Sequence, residues 1–392
     1  MEAERRSQKN EDQIRDMIPG RVLGVHTISH ALVDMGCAML IYAMTAQYLT
    51  DMEAFLAVLL YAFIAFCLQF PLGMWLDGKE KKRIPATDFP RLAAVVGMFL
   101  VAWVDVIYAV IRSLHGDAPV VVGVIMYLSF LAGIGNALFH IGAGVEVLNH
   151  SGKPEQAGPS GIFVSAGALG LYLGAKAKLI GIENLYVMAA ALVVLSIVET
   201  RSKRLDNSRT DATSSQSVPD TSTAAARVAA PSWVTLLLTL IIVYRSFLGF
   251  AMKYTWRVDF KTGLIAVIGI VLGKAIGGIV SDRFGWRKVM ISSLLIGAAA
   301  ALYSEDFLPA GVLTLFLFNM TMPVTMVGLA RALPGEAGMA FGLNTVALFI
   351  GFAVHLMTGG EVSSWVLCAL ILLSAIVLAV ALRPVEDQTR KE

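Results

Sequence analysis

Long apolar runs alternate with short polar or charged breaks along the whole chain. Taken as helices, the runs cover 22–47, 53–76, 91–111, 119–141, 160–177, 183–199, 232–253, 262–281, 287–303, 308–329, 337–357 and 362–382. They show no period-2 alternation, and most approach or exceed the ~18–20 residues a helix needs to cross a hydrocarbon core. The pattern predicts an all-α polytopic membrane protein of twelve transmembrane helices, in two six-helix bundles related by pseudo-two-fold symmetry. Domain bounds follow the breaks: a tail over 1–20, a bundle over 21–200, a flexible linker over 201–230, a second bundle over 231–383 and a tail over 384–392. The linker is rich in Ser, Thr, Asp and Ala and has too few large apolar side chains to bury a core.

Composition agrees with the pattern. Of the residues, 57% are hydrophobic and 15% charged, against about 25% charged in soluble domains, so charge cannot cover the surface. The opening MEAERRSQKNEDQIRDMIPGR is too charged for a secretory signal and is expected to be a solvated tail. Cys37, Cys67 and Cys368 fall inside apolar runs with no CxxC spacing, which suits packing rather than disulfides or a structural metal.

Charge bias sets orientation. With twelve spans, Arg5, Arg6, Lys9, Arg15, Arg21, the Lys79–Arg91 group, the linker's Arg201, Lys203, Arg204, Arg209 and Arg227, and Arg283, Arg287, Lys288, Arg383, Arg390 and Lys391 share one side. Arg112, Lys176, Lys178, Arg257 and Lys261 take the other. The positive-inside rule then puts both termini and the linker on the cytoplasmic side of the cell (inner or plasma) membrane.

The halves echo one another. GMWLD (Gly73 to Asp77) ends span two and GIVSD (Gly278 to Asp282) ends span eight; GIFVSAGALG at 161–170 and GLNTVALFIG at 342–351 pair spans five and eleven. Such a repeat puts the substrate pathway at the interface of the halves, near the bilayer midplane.

GIVSDRFGWRK, Gly278 to Lys288, resembles the signature loop of the major facilitator superfamily, Gly-x-x-x-Asp-Arg-x-Gly-Arg-Arg/Lys, with Trp286 inserted before Arg287. The resemblance implies a secondary transporter whose bundles rock around a central cavity. Asp77, Gly278, Asp282, Arg283 and Arg287 are then the gating candidates, since a carboxylate ending one helix can meet the positive N-terminus of a neighbour. The first half departs from the pattern, because Asp77 is followed by Gly78 and Lys79. His30 and Asp34 in span one, with FHIGAG (Phe139 to Gly144) and the Gly-rich span five, are also similar to the fosmidomycin-resistance-like branch, chiefly exporters of drugs or metabolites.

HTISHALVD carries the candidate chemistry. His26, His30 and Asp34 recur every four residues, about 400° on a helix, so they share one face. A charge at mid-membrane costs about 2.5 to 3.5 kcal/mol, so this stripe, with Arg245 and Lys274 near mid-depth in spans seven and eight, should face a cavity or pair across helices. Arg245 and Lys274, with His30, Asn136 and Asn344, form the candidate site for an anion; Asp34 with His30 forms the candidate proton-coupling site. Lys253, His140 and Asp105 are secondary candidates.

The function expected is secondary active transport of a small organic anion or zwitterion by alternating access, coupled to protons. The alternatives are a divalent metal-ion transporter using His26, His30 and Asp34, and a non-transporting receptor. No nucleophile elbow, HExxH or paired-carboxylate motif points to an enzyme, and no cofactor, resident metal or nucleic acid is expected. The expected partners are the anion, protons and the lipid bilayer, with a monomeric chain.

Overall fold

Two prolines account for the way the helices divide. In this computed structural model, which describes residues 2–81, 88–115, 122–150, 157–213 and 229–389, the second crossing consists of α2 (Asp51–Cys67) and α3 (Gln69–Lys81). Pro71 has no N–H for the carbonyl four residues back, and the helix breaks ahead of it. Gln69 compensates by donating its side-chain amide to the Ala65 carbonyl at 2.7 Å. The tenth crossing breaks in the same way ahead of Pro323, into α11 (Leu308–Asn319) and α12 (Thr321–Ala332). The remaining helices are α1 (Glu2–Tyr48), α4 (Phe89–His115), α5 (Val122–His150), α6 (Ala157–Ala175), α7 (Leu185–Thr213), α8 (Ser232–Ala251), α9 (Phe260–Phe284), α10 (Trp286–Ala301), α13 (Ala337–Thr358) and α14 (Ser364–Thr389). Counting each broken pair once gives twelve crossings in an all-helical, two-bundle layout. Among the described residues no strand forms, and ten crossings are long and apolar enough by themselves to span a membrane. The other two are α7, whose apolar stretch ends at Glu199, and α10, which has only 16 residues.

Local signals fix several ends. Thr50 and Glu53 form a capping box at the start of α2, as do Asp259 and Thr262 at the start of α9. Gly285, at φ +95°, joins α9 to α10 inside the signature loop, and Gly359, at φ +60°, closes α13.

The helices run past several expected bounds. α1 begins at Glu2, where a solvated tail was expected, because Glu, Ala, Arg, Lys and Gln dominate its start and are strong helix formers. α7 continues to Thr213, into the expected linker; the linker's 214–228, together with Lys82, Arg83, Arg390 and Lys391, lie outside the described residues.

Each half has its own core. Tyr108, Phe139 and Phe163 centre the first, and Met290, Leu294 and Leu378 the second. The halves meet chiefly where α6 lies along α9 and where α13 lies along α3 and α2. Trp103, Val187 and Ile376 are more than half exposed on the outside, as side chains facing lipid tails would be.

Candidate functional site

Packing of α1 between α5 and α6 builds the central cluster. Gly170 and Gly174 of α6 leave room for the α1 backbone, and a Cβ on either would strike the carbonyl of Ala31 or Met35. Gly167 leaves the same room for the side chains of His30 and Asp34. His30 donates from Nδ1 to the Phe163 carbonyl of α6 at 2.8 Å. Its Nε2 lies 3.2 Å from Asp34 Oδ2 and 2.9 Å from His140 Nε2 of α5. His140 Nε2 lies 3.4 Å from Asp34 Oδ1, and its Nδ1 meets the Asn136 carbonyl at 2.9 Å. The Asn136 side-chain amide donates to Asp34 at 3.2 Å. His30 and Asp34 are each 6% exposed, so the carboxylate is held between two imidazoles in a nearly dry junction.

The basic pair comes from the other half. Arg245 of α8 donates to the Phe318 carbonyl at 2.9 Å and lies over the Phe318 ring, and its Nε has no partner among the described residues. Lys274 of α9 reaches the Val164 carbonyl of α6 at 3.5 Å and is within electrostatic range of both Asp34 and Arg245. Among the described residues neither cation has a carboxylate within 4.0 Å. Asn344 is buried on α13, and the neighbouring Thr345 donates to the Phe66 carbonyl across the halves.

Two carboxylates cap helices of the opposite half. Asp282 Oδ1 accepts from the Ala157 N–H at 3.0 Å and Oδ2 from Gly158 at 2.7 Å, at the start of α6. Asp77 accepts from the Gly338 and Met339 N–H groups, at 2.8 and 2.7 Å, at the start of α13. Gly278 lies against the Ala157 carbonyl and Gly73 against Gly338, so a Cβ on either glycine would force the helices apart. The inserted Trp286 donates its indole N–H to Asp282 at 3.1 Å. Arg287 instead ties α10 to α14 of its own half, through Glu386 and the Ala379 carbonyl, while Arg283 is exposed over Phe284.

His26 does not join the central cluster. One turn below His30, it donates to Glu146 at 2.8 Å in a second buried group with Arg91, which also holds Glu146 and lies 3.4 Å from Glu199. This group ties α1, α4, α5 and α7 together at the end that carries the termini. Asp105 is fully buried, and neither carboxylate oxygen has a partner among the described residues. Lys253, beyond the end of α8, pairs with Glu305 at 3.4 Å and Glu361 at 3.5 Å, and these carboxylates hold its ammonium above the usual lysine range. At the neighbouring start of α9, the Thr262 N–H and hydroxyl keep Asp259 below the usual carboxylate range.

Two donor sets are compact enough for a metal ion: His30, Asp34 and His140, and His26, Glu146 and Glu199. Two nitrogens on one tetrahedral zinc stand about 3.3 Å apart, wider than the 2.9 Å between His30 and His140. Lys274 adds fixed positive charge beside that set, and Arg91 already occupies the second. Sequence reasoning missed Arg91 and Glu199, whose only signal was a charge at each span end. It also missed the backbone groups of Phe163, Phe318, Ala157, Gly158, Gly338 and Met339, which carry no side-chain signal.

No family model matches the chain. Over 102 residues it is 29% identical to the riboflavin transporter RibZ of Clostridioides difficile (strain 630), a match covering 24% of this chain and 22% of that protein. A structure of the E. coli fucose:proton symporter FucP superposes with TM-score 0.59 at 13% identity, over 95% of this chain and 98% of that one. A second FucP structure, a major facilitator superfamily transporter in the outward conformation, gives TM-score 0.55 at 13% identity over 93% and 99%. The chain therefore has the fold of the major facilitator superfamily transporters.

Proposed function

We propose that this protein is a secondary active transporter that moves a small organic anion or zwitterion across the cell membrane by alternating access, with protons as the coupling ion. One observation carries the reading. Arg245 and Lys274 lie near the middle of their helices with no carboxylate partner among the described residues, while the nearby Asp34 carboxylate is already held by two histidines. A buried guanidinium with an unused N–H favours an anion that accepts from it, and Lys274 supplies a second point of charge. The two helix caps made by Asp77 and Asp282 serve as the gate on the face carrying the termini, which the lysine and arginine bias assigns to the cytoplasm. The FucP fold and the RibZ match both support carriage of a small solute.

The test is uptake into proteoliposomes from a panel of organic anions and zwitterions, with and without an imposed pH gradient. Accumulation of at least one compound driven by the gradient, and its loss in Arg245→Gln and Lys274→Gln, is the expected result. Transport that is indifferent to both substitutions overturns the anion assignment; accumulation that ignores the pH gradient overturns proton coupling.

A further inference from the structure

An imidazole has two ring nitrogens, and the partner of one decides what the other presents. A backbone carbonyl only accepts, so a ring nitrogen in hydrogen-bond contact with it carries the hydrogen. His30 Nδ1 faces the Phe163 carbonyl and His140 Nδ1 faces the Asn136 carbonyl, so both Nδ1 atoms are protonated. If both rings were neutral, both Nε2 atoms would then present bare lone pairs, and these two atoms stand 2.9 Å apart. Two lone pairs repel at that distance, whereas one proton between them makes an ordinary N–H···N hydrogen bond. The rings meet edge to face, with centroids 4.5 Å apart.

We infer that His30 and His140 form a single proton-binding site, sharing one proton between their Nε2 atoms, with Asp34 as its fixed counter-ion. For its use in coupling, this inference rests on the transport reading above. The pair carries one positive charge, which Asp34 balances from α1 while Asn136 of α5 anchors the carboxylate. α6 contributes the Phe163 carbonyl and ring and Gly167, none of them charged, and α9 brings Lys274 into range of Asp34. The proton thus resides on histidine rather than on the carboxylate. Its departure leaves facing lone pairs that push α1 from α5, so proton release and helix movement are one event at this joint.

Nitrogen NMR of ¹⁵N-histidine-labelled protein in nanodiscs reads the site directly, because protonated and bare ring nitrogens resonate far apart. At neutral pH the wild type should show two histidines with protonated Nδ1 and mutually bonded Nε2 atoms, and either His30→Gln or His140→Gln should remove both signals together. A neutral tautomer at either ring with Nε2 protonated and Nδ1 bare, or two rings that titrate independently, overturns the inference. In proteoliposomes His140→Gln should lose accumulation driven by a pH gradient; wild-type accumulation in that variant overturns the inference. If the variant fails to fold, the wild-type spectrum alone decides. Failure of wild-type vesicles to carry any anion refutes the transport reading without touching the spectroscopic result.

Discussion

Asp282 Oδ2 lies 2.7 Å from the backbone nitrogen of Gly158, so the carboxylate that ends α9 in one half caps the start of α6 in the other. Asp77 repeats the relationship with Met339 at the same distance. Both caps place a negative charge at a helix N-terminus, worth about 0.3 to 2 kcal/mol. Asp282→Asn and Asp77→Asn should each shift the chain toward states open at this face. The check is the distance distribution between spin labels at the exposed Met74 and Phe284, one in each half, which should broaden toward longer values. An unchanged distribution in the double variant would remove the gating role.

Trp286→Phe keeps an aromatic six-membered ring under Arg331 but removes the indole N–H that Asp282 accepts at 3.1 Å. The same spin-label pair should move in the same direction but less, by a shift of about 0.5 to 1.5 kcal/mol, the net worth of one hydrogen bond. A change equal to that of Asp282→Asn would mean that the indole, not the helix cap, holds the contact.

Gly170→Ala should lower the midpoint of thermal unfolding in detergent, because its Cβ would collide with the Ala31 carbonyl and force α6 off α1. Overpacking of this kind costs about 1 to 3 kcal/mol. Gly249→Ala on α8 is the control, since nothing lies within 4 Å of its Cβ position. Its midpoint should stay level or rise.

Arg91→Met should be among the most damaging substitutions outside the central cluster. It takes one cation away from the buried Glu146 and Glu199, which both also face His26. Removing one partner of a buried ion pair costs about 3 to 5 kcal/mol, read as a fall in thermal stability. Adding Glu146→Gln should recover part of the loss; no recovery would argue that Arg91 stabilises through packing alone.

Arg245→Lys preserves the charge but not the planar fork over the Phe318 ring. Anion affinity, measured by equilibrium binding, should weaken by about tenfold, the order expected for losing one charge-assisted hydrogen bond. Affinity equal to wild type would show that only net charge matters there.

Sequence periodicity was enough for the twelve crossings, since a hydrocarbon solvent leaves helices as the economical way to satisfy the backbone. The paired Gly-x-x-x-Asp stretches were legible too, and the structure places both at contacts between the halves. Helix ends were less legible: α1 starts at Glu2 and α7 runs to Thr213, because helix-forming charged residues extend a helix past the apolar boundary that hydropathy detects. The four-residue spacing of His26, His30 and Asp34 correctly put them on one face, yet neighbouring helices divided that face between two clusters.

By itself, then, the sequence determined the helical class, the number of crossings, the repeat and the few polar groups that must find partners inside. Only the tertiary structure decided who those partners are. It paired Asp34 with His140 rather than with Arg245 or Lys274, sent His26 to Glu146 and Arg91, and set backbone groups of α6 and α13 against the carboxylates of Asp282 and Asp77. The physical reason is that spacing along one helix fixes the face a side chain occupies, while the approach of a second helix, set here by glycines such as Gly167 and Gly278, fixes what that face meets.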